Sequence, residues 1–338
     1  MFFIDNGGIT DPRLNLAFEE YCLRNLDPQH DYLLLYINEP AVIIGRSQNT
    51  FQEIDHQFVR QNGIHVVRRI SGGGAVYHDY GNLNFSFITK YEKTNILNFR
   101  KFTAPVIRAL HGLGVPAELS ERNDIVAFGM KISGNAQHST QKSMFSHGTL
   151  LFDAKMENLV RALNVKGEKI ESKGVQSVRS RVANIAEHLE HPINMGTFKN
   201  CLLDSILETY GGMREKKLTG KDWENIHRLS EEKYQTWNWN YGKSPECRIS
   251  RTARFDAGRI DVHLWIKDGI IKEIGIWGDF CGYGDMEGLE GALTGRRYDF
   301  DEITSVLSDI DLTRNFGLLT PDRFADYLCG YSPEETRL

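Results

Sequence analysis

Behind Asp11-Pro12, apolar residues recur at Leu14, Ala17, Phe18, Tyr21 and Cys22. That spacing predicts a capped amphipathic helix. The period then shortens. Tyr32-Leu33-Leu34-Leu35-Tyr36-Ile37 and Ala41-Val42-Ile43-Ile44-Gly45 read as two short buried strands around an Asn38-Glu39-Pro40 turn. A helix follows from about Glu53 to Asn62, then the strand His65-Val66-Val67, and after a glycine-rich break the strand Leu83-Asn84-Phe85-Ser86-Phe87-Ile88. Residues from about Asn98 to Leu113 form another helix, stopped by Gly114. Asp124 to Gln137 reads as a tight hairpin turning at Gly129, so that Lys131 begins the returning strand. His147 to Phe152 is one more strand, and the chain to about Tyr210 is mainly helical. Near the carboxy end, Arg254 to Ile276 reads as strands around a Lys267-Asp268-Gly269 turn, followed by short helices at about Asp301–Ile310 and Pro321–Leu328. Helices and strands alternate irregularly and hairpins recur. The fold class is therefore α/β (α+β), a mixed sheet flanked by helices rather than a parallel βαβ array.

The glycine-rich break is Arg68-Arg69-Ile70-Ser71-Gly72-Gly73-Gly74-Ala75-Val76-Tyr77-His78-Asp79. Three glycines in a row cost backbone entropy. They make sense where backbone N–H groups must meet an anion, with the arginines supplying charge for phosphate or carboxylate. A hairpin turn with solvated arginines is the plainer alternative. No Gly-Lys-Ser/Thr follows and the next element is a strand, so this is not a P-loop. The spacing and the helix of a dinucleotide fingerprint are also missing.

A length of 338 residues favours two domains. The boundary is expected near 243–249, at the linker-like Tyr241-Gly242-Lys243-Ser244-Pro245, giving a catalytic domain over 1–245 and a small α+β accessory domain over 250–338. A net charge of −5 argues against a nucleic-acid partner. No apolar run approaches the roughly 20 residues of a membrane span, and no signal peptide is evident at the amino terminus, so a cytoplasmic protein is expected. Five scattered cysteines form no C-x-x-C pair. None lies between Cys22 and Cys201, where the motifs fall, which argues against a cysteine nucleophile.

Several motifs in order resemble lipoate–protein ligase. They are Gly45-Arg46-Ser47-Gln48-Asn49, the arginine–glycine run ending in His78-Asp79, Gly81-Asn82-Leu83-Asn84, Arg122-Asn123-Asp124, Lys131-Ile132-Ser133-Gly134, His147-Gly148-Thr149-Leu150-Leu151, and Lys173-Gly174-Val175-Gln176-Ser177-Val178-Arg179-Ser180-Arg181. The carboxy-terminal segment resembles the accessory domain of the long, two-domain ligases. The resemblance implies a catalytic domain related to biotin ligases and class II aminoacyl-tRNA synthetase cores. It implies ATP and lipoate as substrates, Mg²⁺, and a lipoyl-AMP intermediate. It further implies transfer to a lysine of lipoyl carrier domains, namely 2-oxoacid dehydrogenase E2 subunits or the glycine cleavage H protein.

The residues suit such chemistry. Joining two anions needs positioning and charge neutralisation, and Lys131 is a compact cation that could bridge carboxylate and α-phosphate. Arg69 matches the family's adenylate-site arginine, while Arg68 is either solvated or paired elsewhere. Gly72, Gly73 and Gly74, continuing into Ala75 and Val76, would let the ligand approach the backbone. Ser71 and His78 could orient it, as could His147, although a strand histidine often has only a structural role. Asn82 can bond phosphate or ribose oxygens. Asn123, Ser133, Gly134 and Ala136 complete the expected binding set. Asp124 is either an oxygen ligand for Mg²⁺ or a strand-initiating cap. The apolar strands Tyr32–Ile37 and Val42–Ile44 line an acyl tunnel or belong to ordinary core.

Three rivals remain. An acyl-enzyme octanoyl or lipoyl transferase needs a catalytic-domain cysteine that is missing, although a transferase using preformed lipoyl-adenylate would look much the same. A biotin ligase would carry a different glycine/arginine loop. A non-catalytic lipoate-binding module needs neither Lys131 nor Asp124.

Overall fold

A computed structural model describes residues 1–163, 181–212, 214–280 and 284–330. Two compact units are present, one built from residues 1–46 with 63–236 and the other from residues 47–62 with 237–338. The division passes twice through the chain near its start, and its first crossing falls inside the Gly45–Asn49 motif.

The first unit holds an eight-stranded mixed sheet. Its strands are β1 (Phe2–Asp5), β2 (Tyr32–Ile37), β6 (Asn82–Lys90), β7 (Glu118–Leu119), β8 (Asp124–Ala127), β9 (Met130–Ser139), β10 (Ser143–Leu151) and β11 (Arg214–Glu215), in the order β11-β1-β2-β6-β10-β9-β8-β7. The β11-β1-β2 pairings are parallel. From β2 to β7 every pairing is antiparallel. A small second sheet contains β3 (Ala41–Ile44), β4 (His65–Arg68) and β5 (Val76–His78), with β3 in the middle. The Asn38-Glu39-Pro40 turn therefore closes no hairpin, because β2 and β3 lie in different sheets. Likewise the glycine run joins two strands that flank β3 rather than each other.

Period-2 alternation assigns the two faces of the large sheet. On β6, Leu83, Phe85 and Phe87 enter the main apolar core with Leu33 and Leu35 of β2. Phe102, Val106 and Leu110 of the helix Phe99–Gly112, and Phe198, Leu202 and Ile206 of the helix Met195–Thr209, cover that face. The intervening residues Asn82, Asn84 and Ser86 are buried on the other face. Over that face runs the helix Pro12–Asn25, begun by the Asp11 side chain accepting from Arg13 N–H, with proline in its first turn.

The second unit contains β12 (Cys247–Phe255), β13 (Gly258–Lys267) and β14 (Ile270–Gly278) as an antiparallel meander. Its core gathers Ile260, Val262, Leu264 and Ile266 with Leu289, Ile303, Phe316 and Phe324 from short helices. The helical pieces Thr50–Glu53 and His56–Gln61 replace the single helix expected there; both belong to this unit, and Phe51 enters its core.

Candidate active site

The polar face of the large sheet forms the floor of a cleft of about 700 Å³, open mouth included. Twelve of the expected residues line it: Arg69, Gly73, Gly74, Ala75, Val76, His78, Asn123, Asp124, Lys131, Gly134, Ala136 and His147. Ser71, Gly72, Asn82 and Ser133 do not. Ser71, Asn82 and Ser133 are fully buried behind the wall. The Lys173–Ser180 part of the last motif lies outside the described residues.

Lys131 is placed by the β8–β9 hairpin. Phe128 and Gly129 at its tip have φ of 55° and 74°, the two positive angles of a type I′ turn. A phenylalanine there is unusual, and its ring stacks on His188 at 4.2 Å between centroids. The Lys131 backbone is held by Arg181 O and Ala183 N. Its Nζ meets Asp124 Oδ1 at 2.8 Å, and both side chains keep about a third of their surface exposed. Lys131 lies over Gly134, where an added Cβ would come within 3.2 Å of Nζ. Asn123 and Asn135 clamp the hairpin reciprocally, each side-chain amide donating to the other's backbone carbonyl.

The arginines have a different role. Arg68 is fully buried and donates to Gly45 O and Arg46 O, which removes the solvated alternative. Arg69 donates from Nη1 to Ile43 O, from Nη2 to Gly72 O and Gly74 O, and from Nε to Ser71 Oγ. The guanidinium thus fastens the glycine loop from inside. Gly73, at φ 97°, could not carry a Cβ without reaching 2.9 Å from Arg69 Nη2. Burial pushes both guanidinium pKa values down to about 10, which leaves them charged at neutral pH.

From Arg69 the contacts continue inward. Ser71 Oγ lies 2.9 Å from His147 Nε2, and His147 Nδ1 lies 2.9 Å from Glu19 Oε1 on the Pro12–Asn25 helix. Serine, histidine and carboxylate in this order are the pattern of a nucleophilic triad. Here Ser71 is fully buried, does not line this cleft and accepts from Arg69, so the chain fixes Arg69 and His147 instead of presenting a nucleophile.

Several cleft residues were missed by the sequence reading, including Leu16, Asn84, Asn135 and, behind the wall, Glu19. The signal for Asn84 was present: Asn-Leu-Asn-Phe-Ser-Phe alternates with its polar members buried, which a solvent-facing strand would not require. Of the apolar strands, Tyr36 and Ile43 reach the cleft, whereas Leu33 and Leu35 are core. Among the described residues no group of three or more His, Cys, Asp and Glu gathers as a metal site, and no helix is long and apolar enough to cross a membrane.

Two family models match the chain. Residues 11–207 match the lipoyl protein ligase A/B catalytic domain, and residues 244–328 match the bacterial lipoate protein ligase C-terminus. The chain belongs to the lipoyl protein ligase A/B family and is an enzyme of the ligase class. Among individual proteins it is similar to the lipoate-protein ligase LplJ of Bacillus subtilis, with 54% identity over 97% of this chain and 100% of the relative. The chain also resembles two solved structures. One, with 30% identity and a TM-score of 0.66 over 72% of this chain and 96% of the other, is from work on a bi-partite lipoate protein ligase and its E2 lipoyl domain from Thermoplasma acidophilum. The second, with 29% identity and a TM-score of 0.61 over 72% and 97%, is a lipoate-protein ligase A bound with ATP.

Proposed function

We propose that this enzyme joins free lipoate to a specific lysine of a lipoyl carrier domain in two steps within the one cleft. A lipoate carboxylate oxygen attacks the α-phosphorus of ATP, pyrophosphate leaves, and lipoyl-AMP remains bound. The carrier lysine, as a free amine, then attacks the acyl carbonyl. AMP departs, an amide forms, and the amine proton is lost to solvent.

The observation that carries this reading is the convergence of a half-exposed Lys131–Asp124 pair and an arginine-fastened glycine loop on one cleft. Lys131 is the cation positioned to approach both reacting anions, and its stabilisation of developing charge matters more than covalent help. The partly apolar wall of Leu16, Ile43 and Val76 suits an acyl chain. Magnesium fits a site of this kind, since the ion is commonly held by one or two carboxylates and substrate phosphates. Asp124 would hold it, and the ion would neutralise phosphate charge. The solved relatives, one described as bound with ATP and one studied with its E2 lipoyl domain, support the same nucleotide and partner class here.

The test is mass spectrometry of an apo carrier domain incubated with the full chain, lipoate, ATP and Mg²⁺. One lipoyl addition at the target lysine, dependent on ATP, is expected. Modification only when presynthesised lipoyl-AMP is supplied would replace ligation with transfer.

A further inference from the structure

A buried row of asparagines crosses the first unit from the amino-terminal turn to the cleft. Asn6, Asn15 and Asn38 are each 2% exposed or less. Asn15 sits inside the Pro12–Asn25 helix, where asparagine is a poor helix former and a buried amide must find partners. Its orientation is fixed by backbone. Nδ2 faces two carbonyls, Ile9 O at 3.0 Å and Ile37 O at 3.1 Å, and also Asn38 Oδ1 at 2.8 Å. Its Oδ1 accepts from Asn6 Nδ2 at 2.8 Å, and Asn6 is itself set by Ile9 O and the Gly8 N–H.

The direction of every bond in the row follows. Asn38 must turn Oδ1 towards Asn15, so its Nδ2 faces His78 Nδ1 at 2.9 Å. A donor there requires a lone pair on Nδ1, and the proton of a neutral imidazole then resides on Nε2. His78 is 4% exposed, lines the cleft, and its Nε2 has no hydrogen-bond partner among the described residues. An unmatched buried donor destabilises its surroundings, so a cleft ligand that accepts from it recovers that cost.

We propose that the Asn6–Asn15–Asn38 row locks His78 as the neutral Nε2–H tautomer, making it a dedicated hydrogen-bond donor to an acceptor oxygen of the bound acid or adenylate. His78 is then the substrate-contacting group, while Asn15 and Asn38 are positioning residues. Burial, with Arg69 and His147 nearby, independently disfavours the imidazolium, which forms only near pH 3. A neutral donor of this kind cannot serve as the base that deprotonates the carrier lysine, since its lone pair is already occupied by Asn38. The substrate assignment rests on the proposed ligation, whereas the tautomer stands without it.

The test uses the full chain with ¹³C,¹⁵N-labelled histidine, the His78 signals being identified by their loss in His78→Gln. Wild type at neutral pH should show His78 solely as the Nε2–H tautomer. Asn38→Leu should relax it to a mixture and lower the rate of lipoyl-AMP formation only about twofold to fivefold, in proportion to the share of the Nε2–H tautomer lost. Glutamine places its amide N–H near the Nε2 position, so His78→Gln should retain at least about tenfold more activity than His78→Ala, on the scale of one hydrogen bond. A wild-type Nδ1–H tautomer or imidazolium would overturn the lock, the assignment resting on a folded His78→Gln or, failing that, a folded His78→Ala chain. Equal rates for the Gln and Ala variants, with the wild type active and both variants folded, would overturn the donor role. An inactive wild type with the tautomer as stated would instead count against the ligation reading.

Discussion

The cleft contains two cationic regions built in opposite ways. Arg69 is almost wholly buried, and its bonds go to the carbonyls of Ile43, Gly72 and Gly74 and to Ser71. Lys131 has a substantially exposed side chain and an ion pair to Asp124 across which solvent and ligand can compete. The guanidinium's fixed fork suits the architectural task of holding several carbonyls in one geometry. The ammonium's flexible stem suits a charge that must follow a carboxylate and then a phosphate. Residues that look alike in composition therefore divide into one that shapes the loop and one left open to the cleft, which we propose meets the reactants.

Substitutions should separate these roles. The largest effect on chemistry is expected for Lys131→Ala, with adenylate formation falling roughly 10²–10³-fold and the thermal midpoint little changed, because a half-exposed ion pair adds little stability. Arg69→Ala should invert that pattern. Loss of its donors leaves buried carbonyls and Ser71 unmatched, so denaturant titration should show a stability loss of roughly 3 kcal/mol, with activity lost through the loop. If Arg69→Ala proved as stable as wild type, the architectural role would be wrong. Gly134→Ala is milder: its Cβ would press on the Lys131 side chain at 3.2–3.3 Å. A several-fold slower adenylation with unchanged stability is expected, and a stopped assay for lipoyl-AMP would measure it.

The effect smallest at neutral pH concerns acid stability, and it appears only on acidification. His78 stays neutral in the folded chain down to about pH 3, against an ordinary value of 6.5. Between those values the unfolded chain binds the extra proton. Stability is therefore lost as pH falls from about 6.5, by at most ~1.4 kcal/mol per unit from this group, and the loss levels off near pH 3. His78→Gln should remove that component from the pH dependence of urea midpoints. An unchanged slope would show that the imidazole titrates normally.

Much of this was legible in the chain. Period and turn chemistry gave β2, β6, the β8–β9 hairpin and the helix Phe99–Gly112, since each strand face or helix stripe has one apolar side. The spacing of Lys131 after Gly129 placed the lysine at the start of the return strand, as found. Other features were not legible because local pattern does not name its partner. The amphipathic segment at Ser47–Asn62 could serve either core, and only the fold puts Phe51 in that of the second unit. Arg69 reads in sequence as charge for an anion, because its carbonyl partners come from β3 and the loop itself. Glu19 looks like one more helix carboxylate until the helix is laid against His147.

The most direct test of the account is exchange of labelled pyrophosphate into ATP, measured for wild type and for a folded Lys131→Ala chain, with lipoate, octanoate or biotin as the acid. The account predicts lipoate-dependent exchange by wild type, none with biotin, and a rate at least about 10²-fold lower for the variant. Exchange by Lys131→Ala near the wild-type rate, or no exchange by wild type with lipoate, would contradict it.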